Sequence, residues 1–70
     1  MSPLATILAR NLRNQRLSRG WSVNDVAIRS QLDDSLITRI EAGEDPQVRL
    51  GVIERIAHAL DVPVGNLLRG

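Results

Sequence analysis

The stretch SVNDVAIRSQLDDSLITRIEAG, residues 22–43, contains the start of one short helix and both the start and the end of another. Ser22 is a residue type that caps helices, because its side chain can accept from a free amide of the first turn. Asp25 follows three residues later, which makes the pair a version of the capping box with a shorter acid. Apolar residues then recur at helical spacing. The pattern predicts a short helix over residues 22–30.

A turn of only a few residues separates this helix from the next one. Gln31 and Leu32 fill the turn, and Asp33 is a good capping residue for a helix over residues 33–42, which Gly43 ends. At about 100° per residue, one side of that helix is apolar and the other is mostly polar. The apolar side consists of Leu36, Ile37 and Ile40, and the other side consists of Asp34, Ser35, Thr38, Arg39 and Ala42. Two short helices joined in this way form a helix-turn-helix, whose second helix can lie in the major groove of DNA.

The residues before this unit predict a longer helix. Pro3 suits the first helical position and Ser2 can cap it, while Gly20 supplies a stop in the left-handed conformation. We therefore predict a first helix over about residues 3–18. Its apolar face consists of Leu4, Leu8 and Leu12, supported by Ile7.

The residues after the unit predict two more helices. The fourth covers about residues 49–60, with Gly51 as a weak position near its start, and a short last turn or helix covers residues 63–68. The apolar face of the fourth helix consists of Leu50, Ile53, Ile56, Ala57 and Leu60. No segment alternates as a strand does. The predicted fold class is all-α, a compact bundle of five helices.

Composition excludes several classes of protein. With 70 residues the chain makes one domain over residues 1–70, and a single tryptophan as the only aromatic residue predicts an aliphatic core. Because there is no cysteine, the chain has neither a disulfide framework nor a thiolate zinc site. No apolar run approaches the roughly 18 residues of a membrane span, and no secretory signal is recognisable. We expect a soluble, cytoplasmic protein.

The net charge of +1 hides an uneven distribution of charge along the chain. Every basic residue is an arginine, and Arg10, Arg13, Arg16 and Arg19 all precede Asp25, the first acid. Such an asymmetry can mark an end of the molecule that faces nucleic acid. A solvated helix face would explain it equally well, and the sequence leaves both interpretations open.

Three pieces of the sequence together resemble one family of regulators. RGWSVNDVA leads into the second helix, LITRIEAG forms the third helix and its stop, and RIAHALDVPVGNLL forms the closing helices. In their order and spacing they resemble the lambda-repressor-like family of phage repressors, Cro proteins and XRE-type bacterial relatives. The resemblance implies five helices around one core in a sequence-specific transcriptional regulator. It also implies double-stranded DNA bound by a two-fold homodimer on half-sites about 10 bp apart.

The same resemblance implies which residues face the bases. Carried over position by position, the base-reading set is Asp34, Ser35, Thr38 and Arg39 on the third helix. Arg39 is the best candidate for direct readout, because its planar fork can meet O6 and N7 of guanine together. The alternative is an exposed Arg39 that simply pairs with an acid.

A second set of residues is expected at the DNA backbone. Ser22, Val23 and Asn24 begin the second helix, where free amides and the positive helix end favour a phosphate. Val23 stands where the family often has glutamine, so only a backbone contact is expected there. Arg16 and Glu41 match positions that form an ion pair in phage repressors. That pair would aim Arg16 at a phosphate, although a structural role alone would explain both residues.

Four acids near the predicted interface motivate a second hypothesis. Asp33 and Asp34 lie at the tip of the third helix, and Glu44 and Asp45 lie in the loop that follows it. We expect Asp33 to cap the helix with its side chain. Asp34 either accepts from N4 of cytosine or weakens nonspecific affinity by repulsion. The alternative function is a protein-interaction module or antitoxin-like partner with weak or no DNA binding.

The remaining residues suggest no chemistry. We expect Trp21 in the core and His58 in solvent, where no second histidine or cysteine could complete a metal site. No nucleophile, base and orienting group occur together, so we expect neither an enzyme nor a cofactor. Whether a C-terminal effector domain or a protein partner accompanies this chain stays open. Residues that serve either core closure or a dimer interface are Leu17, Val64, Leu67 and Leu68.

Overall fold

The computed structural model describes residues 3–70, which form five α-helices and no strand within that range. The all-α, five-helix prediction is confirmed. The last four helices begin one or two residues later than predicted, because the predicted ranges included residues that precede the helix. The cap predicted at Ser2 lies outside the described residues. The helices are α1 (Pro3–Ser18), α2 (Val23–Ser30), α3 (Asp34–Glu41), α4 (Leu50–Leu60) and α5 (Gly65–Leu68).

The core is aliphatic and receives side chains from every helix. α1 packs against α3 and α5, α2 packs against α3 and α4, and α4 packs against α5. Alanines between the larger side chains allow the helices to approach closely. The best buried members of the core are Leu8, Leu12, Val26, Ile37, Ile40, Ile56, Leu60 and Leu67. Leu67 therefore closes the core, while Leu17 is 57% exposed and takes no part in it. Trp21 is only half-buried and packs against the edge of the core.

Two residues of the predicted apolar faces are exposed. Leu4 is 49% exposed and Leu50 is 60% exposed, although both continue the apolar spacing of their helices. Each lies in the first turn of its helix. Helical spacing identifies the apolar face but does not show where along the helix the neighbouring elements end. Both residues therefore lie on the predicted apolar faces but not in the core.

Left-handed residues end four of the helical segments. Gly20 and Gly43 have φ values of 69° and 71°, as the predicted stops require. Gln31 and Asp61 adopt the same conformation with φ values of 59° and 56°, although neither is a glycine. At the end of α2, the amide of Leu32 donates to the carbonyl of Ala27 at 2.9 Å, which fixes the turn despite the unfavourable conformation of Gln31.

The arginine excess of the first helix has a structural use. The last residues of α3, α4 and α5 all lie against α1, and their carbonyls have no partner within their own helices. Arg13 Nη2 donates to the carbonyl of Glu41 at 3.0 Å, and Arg19 Nη2 donates to that of Leu60 at 2.6 Å. Asn11 Nδ2 donates to the carbonyl of Leu67 at 2.9 Å. Asn11 and Arg13 of α1, with Arg19 just beyond it, thus cap three helix ends, where the helix dipole also favours positive charge.

No helix within residues 3–70 is long and apolar enough to cross a membrane.

Gly51 is a glycine that the fold does not require. It lies in the first turn of α4 without a positive φ, and an added Cβ would meet no atom within 4 Å. Gly51→Ala should therefore raise the free energy of unfolding by about 0.5–1 kcal/mol, because alanine loses less backbone entropy on folding. Urea unfolding followed by circular dichroism measures the change.

Gly43→Ala is the matched control for this substitution. It also meets open space, but its φ of 71° penalises any side chain, so its free energy of unfolding should fall by about 1 kcal/mol. Equal effects of the two substitutions would contradict this account.

Candidate nucleic-acid interface

The helix-turn-helix unit presents α3 with one buried and one exposed face. Ile37 and Ile40 are buried against α1 and α2, which fixes the helix in the body of the protein. The opposite face is open to solvent and brings together the predicted base-reading residues. That exposed set consists of Asp34, Ser35, Thr38 and Arg39.

Arg39 is a free cation on this face. Within residues 3–70 its guanidinium takes part in no hydrogen bond and no ion pair. Arg39 therefore does not pair with an acid in the folded chain, as the alternative interpretation would require. All five N–H groups of Arg39 remain available to an external acceptor.

A side-chain pair joins the first turns of α2 and α3. Asn24 Nδ2 donates to Asp34 Oδ1 at 3.1 Å and to Oδ2 at 2.9 Å. Sequence reasoning assigned Asn24 to a phosphate and Asp34 to a base, and it did not detect that the two side chains meet. The pair orients the Asp34 carboxylate at the tip of α3. The side-chain amide of Asn24 is therefore engaged within the protein.

The N-terminus of α2 has a complete capping box. Ser22 Oγ accepts from the amide of Asp25 at 3.0 Å, and Asp25 Oδ2 accepts from the amide of Ser22 at 2.8 Å. The hydrogen bond from the Ser22 amide holds the pKa of the Asp25 carboxyl below its ordinary value. Because the box occupies these two amides, the free donors of this turn are the backbone amides of Val23 and Asn24.

The N-terminus of α3 is not capped by a side chain. Asp33 stands at the N-cap position, yet its carboxylate accepts no hydrogen bond from the first turn, so the predicted side-chain cap was wrong. Its carbonyl accepts from the amides of Leu36 and Ile37 instead. The amides of Asp34 and Ser35 consequently remain free at the tip of the helix.

A partly buried ion pair fastens α1 to α3. Arg16 Nε lies 2.7 Å from Glu41 Oε2, and Arg16 Nη2 lies 2.9 Å from Oε1, so the contact is bidentate. The hydrogen bond to Glu41 raises the pKa of the Arg16 guanidinium. Arg16 Nη1 also donates to the carbonyl of Trp21 at 2.9 Å, which holds the segment leading into α2.

Sequence reasoning missed a second arginine at the same carboxylate. Arg13 Nε lies 3.4 Å from Glu41 Oε1. A signal was present, because Arg13 precedes Arg16 by three residues and helical residues at that spacing share a face. Glu41 thus receives two arginines of α1, and its side chain is only 5% exposed.

Within residues 3–70, no three histidine or acidic side chains come together as a metal site.

The comparisons with known proteins agree with this geometry. The family model described as a helix-turn-helix domain matches residues 7–69. Among solved structures, the chain is similar to the crystal structure of a hypothetical transcription factor, NHTF, from Neisseria. The two share 34% sequence identity with a TM-score of 0.87, and the match covers 93% of this chain and 74% of that one. No curated protein matches the chain.

Removing the Glu41 carboxylate should destabilise the fold strongly. Glu41→Ala leaves the partly buried guanidinium of Arg16 without its partner, and we expect the free energy of unfolding to fall by about 3 kcal/mol. Glu41→Gln keeps an acceptor and should lose less. Urea unfolding followed by circular dichroism measures both.

Glu44→Ala is the control, because Glu44 is an exposed acid three residues further on and should change stability by less than about 0.5 kcal/mol. If Glu41→Ala lowered the free energy of unfolding no more than Glu44→Ala does, the ion pair would not stabilise the packing of α1 against α3.

Proposed function

The chain belongs to the helix-turn-helix domain family, and from that premise we propose that it is a sequence-specific transcriptional regulator. It binds double-stranded DNA as a two-fold dimer in the cytoplasm, with α3 in the major groove. Family membership and the similarity to a hypothetical transcription factor support the DNA-binding role in general. They point to binding rather than catalysis.

The exposed face of α3 supports sequence-specific binding. The exposed face of α3 combines an unpaired guanidinium, Arg39, with the hydroxyls of Ser35 and Thr38. These groups present donors and acceptors on a helix whose other face is anchored in the core. A bidentate contact from Arg39 to guanine would supply roughly 1–3 kcal/mol of discrimination.

Contacts to the DNA backbone are few in this arrangement. The free amides of Val23 and Asn24 lie at the positive end of α2 and suit one phosphate. Ser22 can add its hydroxyl hydrogen. Arg16 uses three of its N–H groups within the protein and keeps two for a phosphate.

The distribution of charges predicts weak nonspecific binding to DNA. The arginines of α1 already bind protein groups, and Asp33, Asp34 and Glu44 are exposed near the interface. Affinity must then rest on a few specific contacts and on two subunits acting together. Leu17 is an exposed apolar residue that a dimer interface would cover.

The same acids support a second candidate function. Asp33 and Glu44 take part in no side-chain hydrogen bond or ion pair within residues 3–70. Carboxylates without partners on this face would repel phosphates and could instead bind a basic protein surface. In that case the chain is a protein-interaction module or antitoxin-like partner that retains the fold.

Selection from a random duplex library, followed by titration at several salt concentrations, tests the DNA-binding proposal. We expect enrichment of a motif with two half-sites about 10 bp apart. Affinity should fall linearly on logarithmic axes as salt rises, with a slope near 0.9 per phosphate contacted. Arg39→Ala should lose roughly 1–3 kcal/mol of preference at one base pair.

Arg55→Ala removes the same charge from α4 and serves as the control; it should leave base preference unchanged. If no duplex binds even at low salt, the DNA-binding proposal is wrong and the second candidate gains. If both arginine variants weaken binding equally, Arg39 does not read a base.

The link between Asn24 and Asp34 implies a base preference at the tip of α3. An ionised carboxylate only accepts hydrogen bonds, so it pairs with the exocyclic amines of cytosine or adenine. It repels the acceptors of guanine and thymine in the major groove. Because Asn24 holds Asp34 in one orientation, we propose that Asp34 discriminates between bases rather than merely weakening nonspecific binding.

Two acid variants separate these effects. Asp34→Asn should relax the preference for cytosine or adenine at one position by about 1–3 kcal/mol. Asp33→Asn removes the same charge without touching Asn24, and it should strengthen binding to all duplexes alike. Selection from the random library is repeated with each variant. Identical changes in both would show that Asp34 acts only through its charge.

A further inference from the structure

A polar groove lies between the C-terminal end of α2 and one face of α4. Its volume is about 560 Å³, which lies within the range of ligand pockets. None of its lining residues, all of them within the described range, belongs to α3. The groove is therefore separate from the proposed base-reading face. Its charged and polar walls include Arg29 and Gln31 on one side and Glu54, Arg55 and His58 on the other.

Arg29 stacks on Trp21 beside this groove, and its side-chain donors are not used within the described chain. Its Cζ lies 4.1 Å from the centroid of the Trp21 ring, a stacking distance for a guanidinium. Arg19 lies over the same ring at 5.6 Å, but its donors bind the carbonyls of Gln15 and Leu60. Within residues 3–70, the Arg29 guanidinium makes no hydrogen bond or ion pair, although its charge contributes to the lowered pKa of the Asp25 carboxyl. Of the two cations on the ring, Arg29 is the one free to bind a ligand.

The opposite wall adds further charges without partners. The side chains of Arg55, His58 and Glu54 form no hydrogen bond or ion pair within the part of the chain that the structure describes. The groove thus has one guanidinium on the α2 wall, Arg29, and a guanidinium, a carboxylate and an imidazole on the α4 wall. The groove offers donors for carboxylates and one acceptor for an N–H group.

Gly51 contributes no side chain to the wall of the groove that α4 forms. It lines the groove, and neither its backbone conformation nor its packing calls for a glycine, since an added Cβ would meet nothing within 4 Å. Glycine is an unfavourable residue within a helix. A residue that the fold does not need, at the wall of an open groove, is consistent with access for a ligand.

We propose that this groove binds an acidic segment of a partner protein, with carboxylates on Arg29 and Arg55 and a backbone N–H on Glu54. Charge complementarity selects carboxylates for the two guanidiniums. A peptide also supplies N–H donors, which Glu54 can accept. A nucleic-acid backbone presents only acceptors and offers Glu54 no donor, whereas a peptide offers its N–H groups, so a protein segment fits better. The interaction goes beyond DNA binding and uses other residues.

A short acidic peptide tests the proposal on the full chain. The probe is blocked hexaglutamate, titrated into ¹⁵N-labelled protein, with hexaglutamine as the neutral control. We expect amide shifts to change at residues of the groove, and the emission of Trp21 to change with them because Arg29 stacks on its ring. Hexaglutamine should cause neither change.

Four variants make the test specific. Arg29→Ala and Arg55→Ala should each weaken peptide binding about three- to tenfold, as the loss of an exposed charge-assisted contact predicts. Gly51→Gln should also weaken binding by filling the groove, while its melting temperature stays at or above that of the unaltered chain. Arg69→Ala removes the same charge elsewhere and should change peptide affinity by less than about twofold.

Several results would overturn the proposal. They are the absence of shifts at the groove, equal weakening by all three arginine variants, and unchanged affinity in Gly51→Gln. Displacement of the peptide from the groove by a random-sequence duplex would assign the groove to nucleic acid instead.

Discussion

Three helices end against α1, and the carbonyls at their ends need donors that the helices themselves cannot supply. Side chains of α1 and of the residue just beyond it provide those donors, with Asn11 at α5, Arg13 at α3 and Arg19 at α4. Arg16 adds the bidentate contact to Glu41, close to the end of α3. The orientation of α3 therefore depends on α1 as well as on the turn before it. These bonds also engage three of the nine arginines, Arg13, Arg16 and Arg19, within the protein.

Most of the fold could be predicted because its signals are local in sequence. The capping box at Ser22 and the left-handed stop at Gly43 each depend on residues within one turn, and both occur as expected. The errors arise where a partner decides the outcome. Leu4 and Leu50 continue an apolar face past the point where other elements cover it. Asp33 has the residue type of a cap, but its carboxylate makes no bond to the first turn of α3.

The candidate site was predictable as a face but not as a set of contacts. Helical spacing alone placed Ser35, Thr38 and Arg39 together on the exposed side of α3. The link between Asn24 and Asp34 joins residues ten positions apart, and it forms only because two helix starts approach each other. The groove beside α4 depends even more on packing, since its walls come from separate helices. No local pattern in the sequence carries information of that kind.

The hydrogen bonds to the helix ends constrain sequence variation differently at their donors and at their acceptors. Its acceptors at Leu67 and Arg69 are backbone carbonyls, and every residue type carries the same carbonyl. The acceptor side of these bonds is therefore indifferent to which side chain stands at those positions, whereas the donor side requires an amide or a guanidinium of the right length. Arg69 is exposed and can vary without loss of its carbonyl contact, whereas the side chains of Leu60 and Leu67 are constrained separately by their burial in the core. The side-chain donors for the three helix ends are thus concentrated within residues 11–19, so substitutions in that segment remove more of these hydrogen bonds than substitutions at the acceptors.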